Sequence, residues 1–199
     1  MEREFKWNAD AADTGRIPAS ALIAPLIQEN GAVEMEAAYY DTADGMISGL
    51  RGGLRFRREN DKGVVCLKLA AQASYGGACK LREEFECEAA DLVSGIRKLP
   101  SAGAPQELCD RLLQQELVLL GRMTFSRRTC LLAYGACTCE LALDRGTMYR
   151  HDRTRPICEA ELELKSGSEE DFSALALRMQ NELHLEPQPL SKLARMYEL

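Results

Sequence analysis

Charged and apolar residues alternate over much of this chain. Glu2, Glu4 and Lys6 interleave with Phe5 and Trp7, Arg55 and Arg57 with Leu54 and Phe56, and Lys68 with Leu67 and Leu69. Further on, Arg82, Glu84 and Glu86 accompany Phe85, Glu140 and Asp144 accompany Leu141 and Leu143, and Glu159, Glu161, Glu163 and Lys165 accompany Leu162 and Leu164. A period of two marks strands, whose faces each repeat every second residue. The spacing predicts strands over 2–7, 35–42, 54–58, 64–70, 81–88, 123–133, 137–144 and 157–165, with a weaker short one around Met148. Helical spacing takes over elsewhere. Pro18 opens a stretch that closes near Gly31, and Pro100 separates two helices between Asp91 and Gly121. A further helix is predicted over 169–183, and the Pro187 and Pro189 pair separates it from a last one over 191–197.

The polar faces of these strands carry too much charge for ordinary surface. On a single strand, a solvated face laced with cross-strand ion pairs explains the pattern. The same habit on five or more strands points instead to an enclosed lining. Helices with apolar stripes are available to cover the other face. The fold class expected is therefore α+β, an eight-stranded antiparallel β-barrel with helices packed outside. Acids and bases side by side in a lumen are costly unless metal ions and a ligand balance them.

Composition narrows the setting. At 199 residues and 22.1 kDa, the chain suits a single domain over 1–199 with a helical insertion at about 90–121. Its 46% hydrophobic and 28% charged content excludes wholesale disorder and fibrous repeats. The opening MEREFKWNAD puts charge where a signal peptide needs an apolar core, and no run reaches the roughly 18 apolar residues of a membrane span. A cytoplasmic protein with no membrane partner is expected. Gly45 and Gly49, without an apolar 20-mer around them, read as turn chemistry. Without a secretion signal, the eight cysteines read as free thiols. Cys137 and Cys139 share one strand face as buried apolar groups, lacking the second pair or histidine cluster of a zinc site. His151 and His184 are structural or surface residues, and no Ser-His-Asp triad, Walker loop or dinucleotide fingerprint occurs. The net charge of -6 and pI near 5.1, with glutamates between the basic residues, disfavour a nucleic-acid partner.

The motifs E-x-E-x-K at Glu2 to Lys6, YYDT at Tyr39, LRFRR at Leu54, CLKL at Cys66, REEFE at Arg82, ELALD at Glu140, EAELELKSG at Glu159 and SKLARMYEL at the end follow one another in order. Together they resemble the triphosphate tunnel metalloenzymes, the CYTH domain family, over nearly the whole chain. The resemblance implies an eight-stranded antiparallel tunnel and metal-dependent hydrolysis of inorganic triphosphate or another triphosphate-bearing small molecule, using Mg2+ or Mn2+. It implies metal ligation by Glu2, Glu4, Glu161 and Glu163, with Glu159, Glu140 and Asp144 as supports; such carboxylates suit hard divalent cations. It makes Arg55, Arg57, Lys68, Arg82, Arg127 and Lys192 the phosphate clamp, with Lys192 on a terminal flap that Arg195 could join, a surface salt bridge for Arg195 staying equally open. Lys6 would position or activate the attacking water, so Lys6, Lys192 and Glu4 form the catalytic set. Parity admits only one of Arg127 and Arg128 to the lumen, and Arg127 is the choice. Thiamine triphosphatase, nucleoside triphosphatase, RNA 5'-triphosphatase and adenylyl cyclase activities share this fold and stay open, as does a non-enzymatic polyphosphate- or nucleotide-binding module. A homo-oligomer also stays open.

Overall fold

A computed structural model describes residues 3–70 and 82–199, together with all their side chains except that of Arg82. Its frame is eight antiparallel strands: β1 (Glu4–Asn8), β2 (Ile27–Thr42), β3 (Gly53–Glu59), β4 (Lys62–Ala70), β5 (Arg82–Glu88), β6 (Leu117–Tyr134), β7 (Cys137–Arg150) and β8 (Arg153–Gly167). They lie in the order β1-β8-β7-β6-β2-β3-β4-β5. Around them pack α1 (Asp13–Ala19), α2 (Met46–Gly49), α3 (Leu92–Lys98), α4 (Gln106–Leu113), α5 (Glu169–Glu182) and α6 (Lys192–Tyr197). The sheet curls so far that Glu4 and Lys6 from one edge strand line the same cavity as Glu84 and Glu86 from the other. Among the described residues no ladder joins β1 to β5, so hydrogen bonds do not close the expected barrel. Both edges are short, at five and seven residues, and both carry charged side chains, a pattern that discourages edge pairing.

Two apolar cores lie outside the sheet and one inside it. Trp7, Leu132, Cys139, Leu141 and Leu162 turn outward to meet Ile17 of α1 and Phe172, Leu175 and Met179 of α5. Leu54, Val65 and Leu67 do the same against Ile96 of α3 and Leu108 and Leu112 of α4. The third core fills one end of the lumen, where Met35, Tyr39, Met123, Phe125, Met148 and Ile157 surround Met196 of α6. The tunnel is thus charged toward one end and apolar toward the other. The described cysteines are free, and the Sγ atoms of Cys137 and Cys139 lie buried 3.5 Å apart.

Two stretches depart from the predicted elements. The segment 18–31 is not one helix: Pro18 sits inside the end of α1, and Ile27 already begins β2. The i, i+3, i+4 pattern of Leu22, Ile23, Leu26 and Ile27 arises from a turn and a short 3-10 helix that pack on the first core. Residues 117–121 belong to β6, paired with Thr42 through Tyr39, so the helices between β5 and β6 end at Leu113. The short strand around Met148 is the continuation of β7.

Candidate functional site

Antiparallel register decides which charges meet. Glu4 of β1 lies beside Glu163 of β8, which lies beside Glu140 of β7. One step along, Lys6 faces Glu161; one step further, Asn8, Glu159, Asp144 and Arg127 form a row across four strands. On the opposite wall Arg55, Cys66 and Glu86 form one row and Gly53, Lys68 and Glu84 the next. Because inward residues repeat every second position, these rows converge on a cavity of about 770 Å³.

The acids and bases are already paired. The Arg127 guanidinium grips Asp144 with two hydrogen bonds of 2.7 Å, Nε to Oδ1 and Nη2 to Oδ2, and also donates to Glu161 at 2.7 Å. Lys6 Nζ stands 3.0 Å from Glu161 and 3.4 Å from Glu4. Lys165 lies 3.0 Å from Glu163 and 3.8 Å from Glu140. On the other wall Lys68 pairs with Glu84 at 3.0 Å, and Arg57 pairs with Glu86 and Glu59. Arg55 takes part in no ion pair among the described residues, and its buried Nε lacks a hydrogen-bond partner. Arg128 points the other way, toward the Thr14 carbonyl.

Helix α6 enters the lumen instead of flapping over its mouth. Lys192, only 7% exposed, places Nζ 2.8 Å from Asp144 and 2.9 Å from Glu161, and also bonds Glu159. Arg195, equally buried, bonds the other oxygen of Glu159. A surface role for Arg195 is therefore excluded. The helix can come this close because Gly121 has no side chain; a Cβ there would lie 2.3 Å from the Met196 sulfur.

Burial alone would raise the Glu161 carboxyl, yet Lys192, Lys6 and Arg127 hold it well below the usual carboxylate range. Burial pushes Glu159 upward, with Glu161 reinforcing the shift and Lys192, Lys6 and Arg195 opposing it. Burial would lower Lys6, with Lys192 adding to the effect, but Glu161, Glu4 and Glu159 hold it above its ordinary value. Lys192 is raised in the same way by Glu161, Asp144 and Glu159 against its burial. Both amines are therefore cations and donors near neutral pH. Burial pushes the Cys66 thiol up to about 12, and it donates to Glu84 at 3.0 Å, so it is not a nucleophile.

Of the residues singled out from sequence, Glu4, Lys6, Arg55, Arg57, Lys68, Arg127, Glu140, Glu161, Glu163 and Lys192 line the cavity. Asp144 and Glu159 lie beneath them, fully buried. Glu2 and the side chain of Arg82 fall outside the described residues. Tyr39, Arg51, Cys66, Phe125 and Tyr197 also line the cavity without having been singled out. Tyr39, Cys66 and Phe125 were detectable from inward parity, whereas Arg51 sits in a turn at φ 53° with no strand periodicity to reveal it.

Two groups of carboxylates offer hard oxygen donors to a divalent cation. Single oxygens of Asp144, Glu159 and Glu161 lie within 4.8 Å of one another, but Arg127, Lys192 and Arg195 already engage them. Glu4, Glu140 and Glu163 are more open, with side chains about a third exposed, and stand 3.0–3.8 Å from Lys6 or Lys165. Their oxygens are of the hard kind that divalent cations prefer, but among the described residues only the buried group of three carboxylates has them within 4.8 Å of one another.

A curled eight-stranded antiparallel sheet, helices packed around it, and a lumen lined by interleaved carboxylates, arginines and lysines define a tunnel protein of the α+β class. The chain belongs to the CYTH domain family, whose model matches residues 1–197. Among solved structures it is similar over its full length to a Hippeastrum protein described as a candidate adenylyl cyclase with a dominant triphosphatase activity, at 21% identity, TM-score 0.67 and 96% coverage of that chain. It is similar to the PH1819 protein of Pyrococcus horikoshii OT3 at 19% identity and TM-score 0.61, covering 100% of this chain and 99% of that one. It also resembles a candidate adenylate cyclase of Bacillus halodurans at 20% identity and TM-score 0.60, covering 98% and 96%. At these identities the likeness is one of fold.

Proposed function

We propose that this chain is a divalent-metal-dependent triphosphatase that hydrolyses the terminal phosphate of inorganic triphosphate or a related organic triphosphate, giving diphosphate and phosphate. The observation that carries this reading is one cavity in which carboxylates of β1, β7 and β8 gather opposite Arg55, Arg57 and Lys68 of β3 and β4, with acids and bases interleaved on both sides. A simple anion binder needs only the cations. A lining that keeps acids and bases of both signs within a few ångströms suits a ligand that is a polyanion with its own counter-cations. The dominant triphosphatase activity of the Hippeastrum relative is consistent with this.

Arg55 and Arg57 can grip phosphate oxygens in bidentate fashion, and Lys68 adds a point charge. Arg55 is the most available, having no carboxylate to leave. Lys192 and Arg127 extend the clamp toward the apolar end. Glu4, Glu140, Glu161 and Glu163 would hold the metal, which when bound neutralises phosphate charge and lowers the barrier to nucleophilic attack. Lys6 stays protonated, so it orients the attacking water or a phosphate oxygen and does not act as its base. The proton goes to a carboxylate beside Lys6, where Glu161 stands at 3.0 Å and the more exposed Glu4 at 3.4 Å.

A second reading, an organic triphosphate, rests on the size and wall of the cavity. Its 770 Å³ lies in the range of sites that take drug-sized ligands, and Tyr39, Phe125 and Tyr197 line it together with the charges. The test is phosphate release from inorganic triphosphate, ATP and thiamine triphosphate with Mg2+ or Mn2+. Metal-stimulated release from inorganic triphosphate is expected. Binding without metal-stimulated hydrolysis would overturn the enzyme reading, and diphosphate with cyclic AMP from ATP would replace it with a cyclase.

A further inference from the structure

Glu159 has neither oxygen free: Lys192 holds one and Arg195 the other, and the carboxylate is fully buried. Lys192 and Arg195 are three residues apart on α6 and therefore on one face of it. Their surroundings differ. Lys192 lines the cavity, with Nζ among three carboxylates and 5.6 Å from the Phe125 ring, whereas Arg195 does not reach the cavity. A six-residue helix has no stability of its own, so α6 stands where it does only because it is docked. Its other anchors are Leu193 and Met196 against the inner core, and Arg150, Arg153 and Arg155, which donate to the Tyr197, Leu199 and Arg195 carbonyls at 2.8, 2.7 and 3.5 Å. Most of those polar contacts hold the end of the helix, and Lys192 and Arg195 alone tie its inner face to the buried carboxylates of β7 and β8.

We propose that Glu159 and Arg195 form a positioning latch: Arg195, through Glu159, seats α6 and fixes where the Lys192 ammonium stands, and Glu159 serves this latch and not the metal. This rests on the triphosphatase reading for its catalytic consequence and on the geometry alone for the rest. Without Arg195, Glu159 is left buried with Lys192 as its sole partner on α6. Lys192 is then drawn toward Glu159 and away from Glu161 and the cavity. A displacement of about 1 Å in a positioned group can cost on the order of a hundredfold in rate.

The test compares Arg195→Met, Arg195→Lys and the isosteric Glu159→Gln with the wild type, each first shown to melt cooperatively. Amide exchange over 192–199, Mn2+ affinity by electron paramagnetic resonance and steady-state kinetics are then measured. The expected result for Arg195→Met is exchange at least tenfold faster over 192–197 with β6 and β8 unchanged, kcat at least tenfold lower, KM within threefold and Mn2+ affinity unchanged. Arg195→Lys should recover most of the kcat, because one ammonium can still reach Glu159. Glu159→Gln should reproduce the faster exchange without loss of Mn2+ affinity. A tenfold loss of Mn2+ affinity in Glu159→Gln would make Glu159 a metal support and overturn the latch, as would unchanged exchange in both Arg195→Met and Glu159→Gln. If the wild type fails to hydrolyse triphosphates, the exchange and Mn2+ measurements still decide the latch, so the two failures are distinguishable.

Discussion

At the scale of single residues, Arg55 and Asp41 show how differently buried charges behave. Arg55 keeps a buried Nε without a partner and has no ion pair among the described residues, yet its burial is outweighed by Tyr39, Cys66, Glu84 and Glu86 around it, which hold the guanidinium charged. Replacing it with Met should leave the fold intact with a melting temperature no higher than that of the wild type, while KM for inorganic triphosphate rises at least tenfold; thermal melts and initial rates check both. Asp41, 2% exposed, instead accepts backbone hydrogen bonds from Thr42 at 2.8 Å, Ile47 at 2.8 Å and Ser48 at 3.0 Å. Burial would raise its carboxyl, but those N–H groups outweigh burial and hold it below the ordinary value. A depressed folded value means the stabilisation is complete above the unfolded value near 4 and is lost as pH falls through the folded one. Asp41→Asn should therefore cost about 1–3 kcal/mol at pH 7, and the gap in melting temperature from wild type should narrow below about pH 4. The residues of the cavity were readable where strand parity places them on the charged face, as with Arg55 and Arg57, whereas parity admits either Arg127 or Arg128 and only the family resemblance favoured Arg127. Arg195 was not readable, because its partner Glu159 lies on another element and only docking brings the two together.

At the scale of elements, alternation revealed the strands wherever one face is charged and the other apolar. It failed where a strand lacks that contrast. The first half of β2 carries Gln28, Glu29, Asn30 and Gly31 in succession, all exposed, so nothing there repeats every second residue. The short stretch before it borrows helical spacing from turns that pack on the outer core. Likewise α6 was visible as a helix while its place inside the tunnel was not, since that depends on a glycine in β6. Gly121→Ala tests this: the new Cβ would lie 2.3 Å from Met196 Sδ and 2.8 Å from the Tyr149 carbonyl. Overpacking of this kind should destabilise the protein by about 1–3 kcal/mol and lower turnover by displacing Lys192, with melting and phosphate release as the measurements. Normal turnover with an unchanged melt would show that α6 does not depend on that close approach.

At the scale of the whole molecule, the net charge of -6 says little about the ligand, because what a ligand meets is the lining of the cavity and not the average over the chain. Among the described residues, eight lysines and arginines and seven glutamates line the cavity, so it is close to neutral before anything binds. A triphosphate brings several negative charges that this lining cannot balance, and each arginine or lysine it recruits leaves a carboxylate uncompensated. Divalent cations bound at those carboxylates remove both problems at once. Metal and triphosphate must then strengthen each other's binding, and by the same factor in either direction. The consequence is measurable without turnover, using a non-hydrolysable triphosphate analogue. Mg2+ alone and the analogue alone should each raise the melting temperature slightly, and the two together by more than the sum, since ligands that bind only the folded state stabilise it by mass action. Glu163→Gln should abolish this excess while leaving the small effect of the analogue in place, because the cations of β3 and β4 are intact. Additive shifts in the wild type would mean that the carboxylates and the cations act independently, which their direct pairing in this cavity does not allow.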